Sequence, residues 1–473
     1  SFGRIGSVEI SPDKSKILYQ VTYVDIKQNK TNPELFVMNT DGSNKKQLTV
    51  TNARESNPQW ISGGKKIAFL SNESGTSQIW TMNPDGSGMK KITDVAEGIN
   101  GFVFSPDNKK VLFIKNVKAG ETTKDKYPDL PEASGRIVDN LMYKHWDTWV
   151  EEIPHTFMAD FSNDKLSNIV DLLQDEPYEA PMFPFGGIEQ LAWSPDGKTI
   201  AYTSRKKTGK DYAVSTNSDI YFYDVESGKT TNMTEGMMGY DVNPQFSPDG
   251  SKLAWQSMER DGYESDKNRL FVMDLASGNK TYVTENFDYN TDAFTWNTDN
   301  KTIYLVACVE AKTQLFSADI GSKQISVITK GKHDYASVAL GNGKLFAKRH
   351  SMSQPDEIYS VDIFSGQATE ISFENKHILE QLTMGETEER WIETTDGKQM
   401  LTWVVYPPNF DSTKTYPALL YCQGGPQSTV SQFWSYRWNL QMMAANGYIV
   451  VAPNRRGVPG FGQEWNEQIS GDY

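Results

Sequence analysis

A glycine-rich turn near the end of the chain has residue types that can serve acyl-transfer chemistry. The stretch YCQGGPQSTVSQFWSYRW, residues 421–438, follows a short apolar run and holds Gln423, Gly424 and Gly425 before a proline. Many enzymes use a strand, a glycine turn and a helix in this order to present backbone N–H groups to a substrate oxygen. The stretch therefore suggests an anion-stabilising turn, and a tight turn with no chemical role is the alternative.

Two adjacent carboxylates form a second candidate site. Glu151 and Glu152 follow Trp149 in an aromatic-rich stretch. They can pair with a substrate ammonium group, and each charge-assisted hydrogen bond contributes about 1.5 to 3 kcal/mol. The alternative is that both side chains lie at the solvated end of a helix.

The elements that must position these residues are mostly repeated β-hairpins. Each repeat has an apolar pair, a turn of the Ser-Pro-Asp-Gly type, a second apolar run and then a second hairpin, as in FSPDGSKLAWQ from Phe246 and LFVMDLASGNKTYVT from Leu270. Such corners, flanked by β-branched and aromatic residues, are typical of tight antiparallel hairpins. Seven units, most of them about 43 to 53 residues apart, predict an all-β seven-bladed propeller over residues 1–375, because seven four-stranded units can close a ring. A long twisted sandwich is the alternative.

The gap between the third and fourth units is nearly twice as long as the others, which places an insertion at about residues 117–154. Its polar first part predicts a loop or extended arm, and its aromatic-rich second part is compatible with a helix. Ring closure does not need this segment, and long insertions often carry function. The insertion contains Glu151 and Glu152.

Residues 376–473 have the pattern of an α/β domain. Two antiparallel strands are predicted around an Asp396-Gly397 turn, and YPALLYCQ predicts a buried strand. The stretch QFWSYRWNLQMMAANG predicts a helix that ends at Gly447, and GYIVVAPNRRG predicts a strand of a parallel sheet. Strand, helix and strand with short connections indicate α/β winding.

The motifs of this second domain resemble those of the prolyl oligopeptidase family of serine peptidases. Gln423-Gly424-Gly425-Pro426 is similar to the family's His-Gly-Gly-Pro turn, and NRRG from Asn454 followed by GFG from Gly460 resembles the family's stretch after the next strand. The greatest similarity is to the branch of acylaminoacyl-peptidases and bacterial dipeptidyl peptidases of the fifth type. A propeller followed by an α/β-hydrolase domain is also the family's order, so the resemblance covers the whole chain.

The resemblance implies roles for residues at the turn. The Gly424 N–H would be one oxyanion-hole donor, and the residue after the nucleophile would supply the other. Gln423 stands where the family has His or Tyr, which leaves the role of its side chain open. Aromatic residues after the turn would line the pocket for the residue before the scissile bond, and core packing is the alternative. They are Phe433, Trp434, Tyr436 and Trp438.

The remaining catalytic groups are expected outside this sequence. It contains no Gly-x-Ser-x-Gly motif and no histidine after His377. The resemblance therefore places the Ser/Asp/His triad after Tyr473, on a missing C-terminal hydrolase segment. A sheet that ended here would leave an apolar edge unpaired, so Tyr473 is not expected to be a natural terminus. The chain begins with Ser1 rather than Met, and removal of an export signal is one of several reasons for a missing N-terminal segment.

These features predict a serine exopeptidase that releases dipeptides from the N-terminus of short peptides, with the propeller limiting access. An acylaminoacyl-peptidase, an esterase and a non-catalytic propeller that binds a protein or glycan are the alternatives. If the substrate needs a free ammonium group, Glu151 or Glu152 is the predicted counter-charge.

Composition and charge limit the classes of partner and cofactor that the chain is expected to bind. A net charge of −14 over 473 residues argues against a nucleic-acid partner. The sequence contains no run of about 18 apolar residues, so no membrane span is predicted. The histidines and the two cysteines lack metal-ligand spacing, so no metal or cofactor is expected. Cys308 and Cys422 are expected to be free buried thiols, with one disulfide bond as the alternative.

Charge, cysteine content and the blade motif bear on the location of the protein. The acidic charge, the few cysteines and the similarity of the blades to the periplasmic Tol-system propeller predict a periplasmic or secreted protein. A cytoplasmic location is the alternative, and the sequence leaves a homodimer open.

Overall fold

The computed structural model describes residues 1–425 and 427–472, and within them the propeller repeats form seven antiparallel sheets. The first sheet holds β1 (Arg4–Ile10), β2 (Lys16–Asp25), β3 (Lys30–Asn39) and β4 (Lys46–Gln47). The second holds β5 (Glu55–Ile61), β6 (Lys66–Ser71), β7 (Gln78–Met82) and β8 (Lys90–Lys91). The third begins with β9 (Gly101–Phe104) and β10 (Lys110–Lys118), which are followed by a small separate hairpin, β11 (Lys144–His145) and β12 (Thr148–Trp149). It is completed by β13 (Glu152–Ser162) and β14 (Lys165–Asp171).

The remaining sheets follow in chain order. The fourth holds β15 (Leu191–Trp193), β16 (Thr199–Ser204), β17 (Asp219–Asp224) and β18 (Thr230–Asn232). The fifth holds β19 (Asp241–Phe246), β20 (Lys252–Ser257), β21 (Arg269–Asp274) and β22 (Lys280–Tyr282). The sixth holds β23 (Ala293–Trp296), β24 (Thr302–Val309), β25 (Lys312–Asp319) and β26 (Ile325–Val327). The seventh holds β27 (Asp334–Tyr335), β28 (Ala339–Gly341), β29 (Lys344–Ser351), β30 (Gln354–Asp362) and β31 (Ala368–Glu370).

A mixed sheet forms the α/β part, and short helices lie between the strands. The strands are β32 (Thr387–Glu393), β33 (Gln399–Val405), β34 (Ala418–Leu420) and β35 (Ile449–Pro453), in the spatial order β32-β33-β35-β34. The helices are α1 (Thr123–Lys126), α2 (Gly209–Val214), α3 (Lys376–Leu379), α4 (Leu440–Ala445) and α5 (Gln463–Glu467). Short 3-10 turns occur at Ser62–Gly64 and Ile188–Gln190. Within the described residues, no helix is both long and apolar enough to cross a membrane.

The hairpin corners show why the repeated residue types form strands here. Between β19 and β20, the Ser247 hydroxyl and the Ser251 N–H both donate to Asp249 Oδ1, at 2.7 and 2.9 Å. Gly250 takes a φ of +73°, which glycine adopts at little cost. The side chains and the glycine thus close the turn locally, and the pattern fixes where each hairpin reverses.

The described residues divide into two compact units. One comprises Ser1–Gln47, Ser265–Arg269 and Tyr282–Tyr473, which include the first, sixth and seventh sheets and the α/β part. The other comprises Leu48–Glu264 and Leu270–Thr281, which include the second to fourth sheets and most of the fifth. Closure of all seven sheets into one ring remains a prediction, as do the domain boundaries at residues 375 and 376.

The insertion differs from its prediction. Its aromatic part forms the β11–β12 hairpin and irregular chain, whereas its one helix, α1, lies in the polar part. Trp146 at the hairpin turn has a φ of +50° and is 80% exposed. A helix is stabilised by burial of one apolar face, whereas these aromatic residues contact different partners: Trp146 packs against Phe185 with ring centroids 5.2 Å apart, and Trp149 against Tyr143 at 6.1 Å. The helix prediction was wrong.

The helix predicted for residues 432–447 begins only at Leu440. The Ser435 hydroxyl accepts hydrogen bonds from the N–H groups of Arg437 and Trp438, at 3.1 and 2.8 Å. This local turn competes with helical bonding. Asn439 then caps α4 by accepting from the Met442 N–H at 3.1 Å. The predicted end is confirmed, since Gly447 has a φ of +88° just after α4.

The strand predicted to be buried is exposed. β34 pairs with β35 in parallel and lies at the edge of the sheet, and Leu420 is 60% exposed. Both cysteines are free thiols, as expected, but Cys422 is exposed and Cys308 is half-buried. The hairpin of β32 and β33 around Asp396-Gly397 is confirmed.

A buried polar cluster joins the seventh sheet to residues 372–375 and gives stability a pH dependence. The Glu357 carboxylate accepts from the Ser372 hydroxyl at 2.5 Å and from the N–H groups of Glu374 and Asn375, at 3.1 and 2.9 Å. Burial raises the pKa of Glu357 to about 7 although these hydrogen bonds lower it. The folded state therefore binds more protons than the unfolded state between pH 4.5 and 7.

We predict that this group's contribution to stability is complete below about pH 4.5 and is lost as the pH rises through 7. Its slope is at most about 1.4 kcal/mol per pH unit, the value for one proton. Urea unfolding between pH 4 and 8 should show that the free energy of unfolding of Glu357→Gln depends less on pH than that of the parent protein, whatever the absolute stability of the variant. The exposed Glu380→Gln is the control and should retain the parent slope. A Glu357→Gln curve parallel to that of the parent would contradict the prediction.

Candidate active site

The glycine turn, residues 423–425, lies directly after the exposed edge strand β34. The Tyr421 N–H donates to the Val451 carbonyl at 2.8 Å, so the chain stays paired with β35 almost to the turn. Gly424 and Gly425 are exposed, and a Cβ on either would meet nothing within 4 Å. Gly425 has a φ of +61°, which favours glycine. Pro426, the last residue of the predicted motif, lies outside the described residues.

The Gly424 N–H is free to donate to a substrate oxygen. Among the described residues, none accepts a hydrogen bond from it. The first residue of the turn is nevertheless fixed, because Arg455 Nη2 donates to the Gln423 carbonyl at 3.0 Å and Gln423 Nε2 donates to Ser428 Oγ at 2.7 Å. The Gln423 side chain is thus already used inside the loop and would have to break this bond to reach a substrate.

The aromatic residues after the turn divide into two environments. Phe433 packs against the core of the α/β part, with its ring centroid 6.4 Å from that of Tyr421. Trp434 makes an edge contact with Phe2 at 5.4 Å. Tyr436 is 43% exposed, with the Arg4 guanidinium 4.2 Å from its ring centroid. Core packing therefore accounts for Phe433, whereas Tyr436 offers an accessible aromatic surface, as does Trp438 at 51% exposure.

The paired carboxylates of the insertion are both exposed but differ in their partners. Glu151 Oε1 forms an ion pair with Arg136 Nε at 2.9 Å. Glu152, the first residue of β13, accepts from Asn116 Nδ2 at 3.2 Å. Glu151 therefore already has a counter-charge, whereas Glu152 has a neutral partner and is the better placed of the two to receive a cation.

Sequence reasoning missed a third carboxylate, that of Glu179. It is 5% exposed and lines a cavity of about 590 Å³ together with residues of the insertion. Its Oε2 accepts from the Tyr212 hydroxyl at 2.6 Å and from the Phe183 N–H at 3.0 Å, and its Oε1 lies 3.7 Å from His145 Nε2. No local motif marks Glu179, because its partners come from residues up to 34 positions away along the chain.

Comparison with known proteins agrees with this arrangement. The TolB beta propeller domain matches residues 3–133 and 188–377, and the prolyl oligopeptidase family matches residues 434–473. A protein named dipeptidyl-peptidase 5 from Porphyromonas gingivalis is 57% identical over 473 residues, which are 100% of this chain and 69% of the relative. The chain belongs to the prolyl oligopeptidase family. The predictions of a propeller followed by an α/β-hydrolase part and of a serine peptidase are confirmed.

Two further comparisons extend this result. A dipeptidyl-peptidase 5 from Porphyromonas endodontalis is 50% identical over 100% of this chain and 68% of its own length. A solved acylaminoacyl peptidase in complex with Z-Gly-Gly-Phe-chloromethyl ketone has a TM-score of 0.78 at 19% identity, covering 99% of this chain and 68% of that one. At this identity the structural likeness shows the fold alone. The match to the propeller domain is interrupted between residues 133 and 188, a gap that contains Glu151, Glu152 and Glu179.

Proposed function

We propose that this chain is the propeller and the first part of the catalytic domain of a serine exopeptidase that releases dipeptides from the N-terminus of short peptides. The relatives named dipeptidyl-peptidase 5, at 57% and 50% identity over the entire chain, support this specificity. The structural observation that carries the proposal is the open glycine turn with the unengaged Gly424 N–H. The serine nucleophile, its acid and its base come from polypeptide beyond this sequence.

The glycine turn supplies electrostatic stabilisation. When the serine attacks the scissile carbonyl, its oxygen becomes an alkoxide, and a fixed N–H donor stabilises that charge by about 2.7 to 4 kcal/mol. Gly424 is suited to this role because it is exposed and its N–H has no acceptor among the described residues. Tyr436 and Trp438, which follow the turn along the chain and are exposed, provide aromatic surface for the residue before the scissile bond.

Hydrolysis of paired peptide substrates tests the specificity. The full-length protein should release dipeptides from peptides with a free N-terminus and should leave the same peptides intact when they are N-acetylated. An acylaminoacyl-peptidase would instead release the single blocked residue. Hydrolysis of simple esters without peptide cleavage would favour an esterase, and absence of all hydrolysis would favour a binding propeller.

We also propose that an insertion carboxylate pairs with the substrate ammonium. Glu152→Gln should lower kcat/KM on free peptides by about 10- to 100-fold, the effect of one charge-assisted hydrogen bond. Glu151→Gln should lose less, because Arg136 already neutralises this carboxylate. The control is Glu121→Gln, an exposed carboxylate of the same insertion, and Glu179→Gln tests the buried alternative. Esters of free and N-acetylated peptides serve as paired substrates. An equal loss of kcat/KM of Glu152→Gln on both esters would refute ammonium pairing.

We propose a periplasmic or secreted location and, as a candidate assembly, a homodimer. The acidic composition and the match to the TolB beta propeller domain support the location. Fractionation of cells that produce the full-length protein tests it, and recovery with cytoplasmic markers would refute it. Light scattering of the purified protein measures the assembly directly.

A further inference from the structure

We propose that Asp334, a residue of the propeller, positions the glycine turn through a hydrogen bond to Ser431. This inference rests on the proposed function, since it assigns a positioning residue to the oxyanion site. Asp334 lies in β27 of the seventh sheet, and Ser431 lies in residues 427–434, here called the return segment. The two residues are 97 positions apart along the chain.

The glycine turn needs support from its flanks because it has little of its own. Apart from the residues next to each glycine, no described atom lies within 4 Å of a Cβ on Gly424 or Gly425, so the described side chains do not enclose the turn. Glycine also has the widest backbone freedom of any residue. The direction of the Gly424 N–H is therefore set by the strand before the turn and by the return segment after it.

The return segment is fastened at three consecutive residues. Thr429 Oγ1 donates to the Pro459 carbonyl at 2.7 Å. The buried Asn454 side chain accepts from the Val430 N–H at 2.8 Å and donates to its carbonyl at 2.9 Å. Ser431 Oγ donates to Asp334 Oδ2 at 2.5 Å. The first two contacts lie inside the α/β part, and the third brings in the propeller.

The return segment contacts the glycine turn through a hydrogen bond between Ser428 and Gln423. Ser428, one residue before the first fastened position, accepts from the side chain of Gln423 at 2.7 Å. Gln423 immediately precedes Gly424. A shift of the segment at Ser431 therefore reaches the N–H donor through a short run of fixed residues and a side-chain hydrogen bond.

Asp334 is a rigid acceptor for Ser431. It is 3% exposed, and its Oδ1 accepts from the Thr313 N–H at 2.8 Å. His350 provides the compensating charge: its Nε2 lies 3.7 Å from Asp334 Oδ2, and its Nδ1 lies 2.8 Å from Asp356 Oδ1. Burial lowers the pKa of His350, but the two carboxylates raise it to about 9, so the imidazole is cationic at neutral pH. A buried carboxylate with this many partners cannot reorient cheaply.

The contact should therefore affect the transition state more than substrate binding. Misplacement of a catalytic group by about 1 Å can cost 100-fold in rate. For Ser431→Ala, the segment keeps its attachments at Gln427, Thr429 and Val430. We expect kcat to fall about 10-fold while KM stays within 2-fold, because the oxyanion forms only during reaction. Ser431→Thr retains the hydroxyl and should restore at least half of the parent kcat.

The experiment uses the full-length protein and four variants: Ser431→Ala, Ser431→Thr, Asp334→Asn and the control Ser322→Ala. Ser322 makes the same kind of bond, from its hydroxyl to Asp319 Oδ1 at 2.7 Å, on an exposed propeller turn. The measurements are kcat and KM on a dipeptidyl amide, and the Ki of a dipeptide aldehyde, whose adduct with the serine carries the oxyanion. The Ki tests positioning because a loss of stability alone would not weaken aldehyde binding while leaving KM unchanged.

Parallel losses of kcat and aldehyde affinity in Ser431→Ala and Asp334→Asn, with rescue by Ser431→Thr and no change in Ser322→Ala, would support the inference. An unchanged kcat in Ser431→Ala, or a rise in KM alone, would overturn it even if Asp334→Asn failed to fold. A parent protein without peptidase activity would refute the proposed function and this inference with it, whereas an active parent with an unaffected Ser431→Ala would refute the inference alone.

Discussion

Replacement of Gly424 by proline is expected to lower kcat of the full-length enzyme by about 100- to 1,000-fold. Proline has no N–H, so the substitution removes the proposed donor from the oxyanion site. Loss of one such donor raises the barrier by about 2.7 to 4 kcal/mol, because the charge on the substrate oxygen develops only in the transition state. KM should change much less than kcat.

Gly424→Ala is the matched control for this prediction. A Cβ at residue 424 meets no atom within 4 Å, and alanine keeps the N–H. Its kcat should stay within a few-fold of the parent value. Equal losses in the two variants would show that the side-chain space at the turn matters, and not the donor. An active Gly424→Pro enzyme would exclude Gly424 as a donor.

The parts of the fold that depend on local chemistry were predictable. Several propeller corners close within five residues through a serine hydroxyl, an aspartate carboxylate and a residue with positive φ, as at Ser247, Asp249 and Gly250. The same holds for the end of α4 at Gly447. Such signals act on their own neighbours, so the sequence predicts them without knowledge of the packing.

The predictions that failed concern segments whose secondary structure depends on tertiary contacts. Residues 432–439 have helical spacing, but the Ser435 side chain forms a local turn instead and Trp434 packs against Phe2. In the insertion, Trp146 packs against Phe185 and Trp149 against Tyr143 around a hairpin instead of a helix. In both places side-chain contacts outweigh a pattern that is weak on its own.

The candidate site was predictable only where a motif marks it. Gln423, Gly424 and Gly425 stand in a recognisable sequence. By contrast, the buried Glu179 is defined by Tyr212, and Asp334 by Ser431, across 33 and 97 residues of chain. Contacts over such separations leave no spacing that a single sequence reveals.

Replacement of Trp403 by alanine is expected to lower the free energy of unfolding by about 3 to 5 kcal/mol. Trp403 lies in β33, between β32 and β35, and is 0% exposed. Its cluster includes Leu440 and Val450 of the α/β part, and also Ala311 and Met352 from hairpin turns of the sixth and seventh sheets. Because residues of several elements line the space, no single movement can refill the cavity left by the indole.

The control for this prediction is Trp391→Ala in the neighbouring strand β32. Trp391 is 42% exposed, and its indole N–H donates to Glu389 Oε1 at 3.0 Å. Its removal should cost about 1 kcal/mol or less, because an exposed side chain leaves no sealed cavity. Urea unfolding followed by circular dichroism measures both variants. If Trp403→Ala is no less stable than Trp391→Ala, the cluster around Trp403 does not hold the propeller sheets and the α/β part together as its packing indicates. In that case the positions of β33 and of the return segment after the glycine turn depend on polar contacts such as those of Asn454.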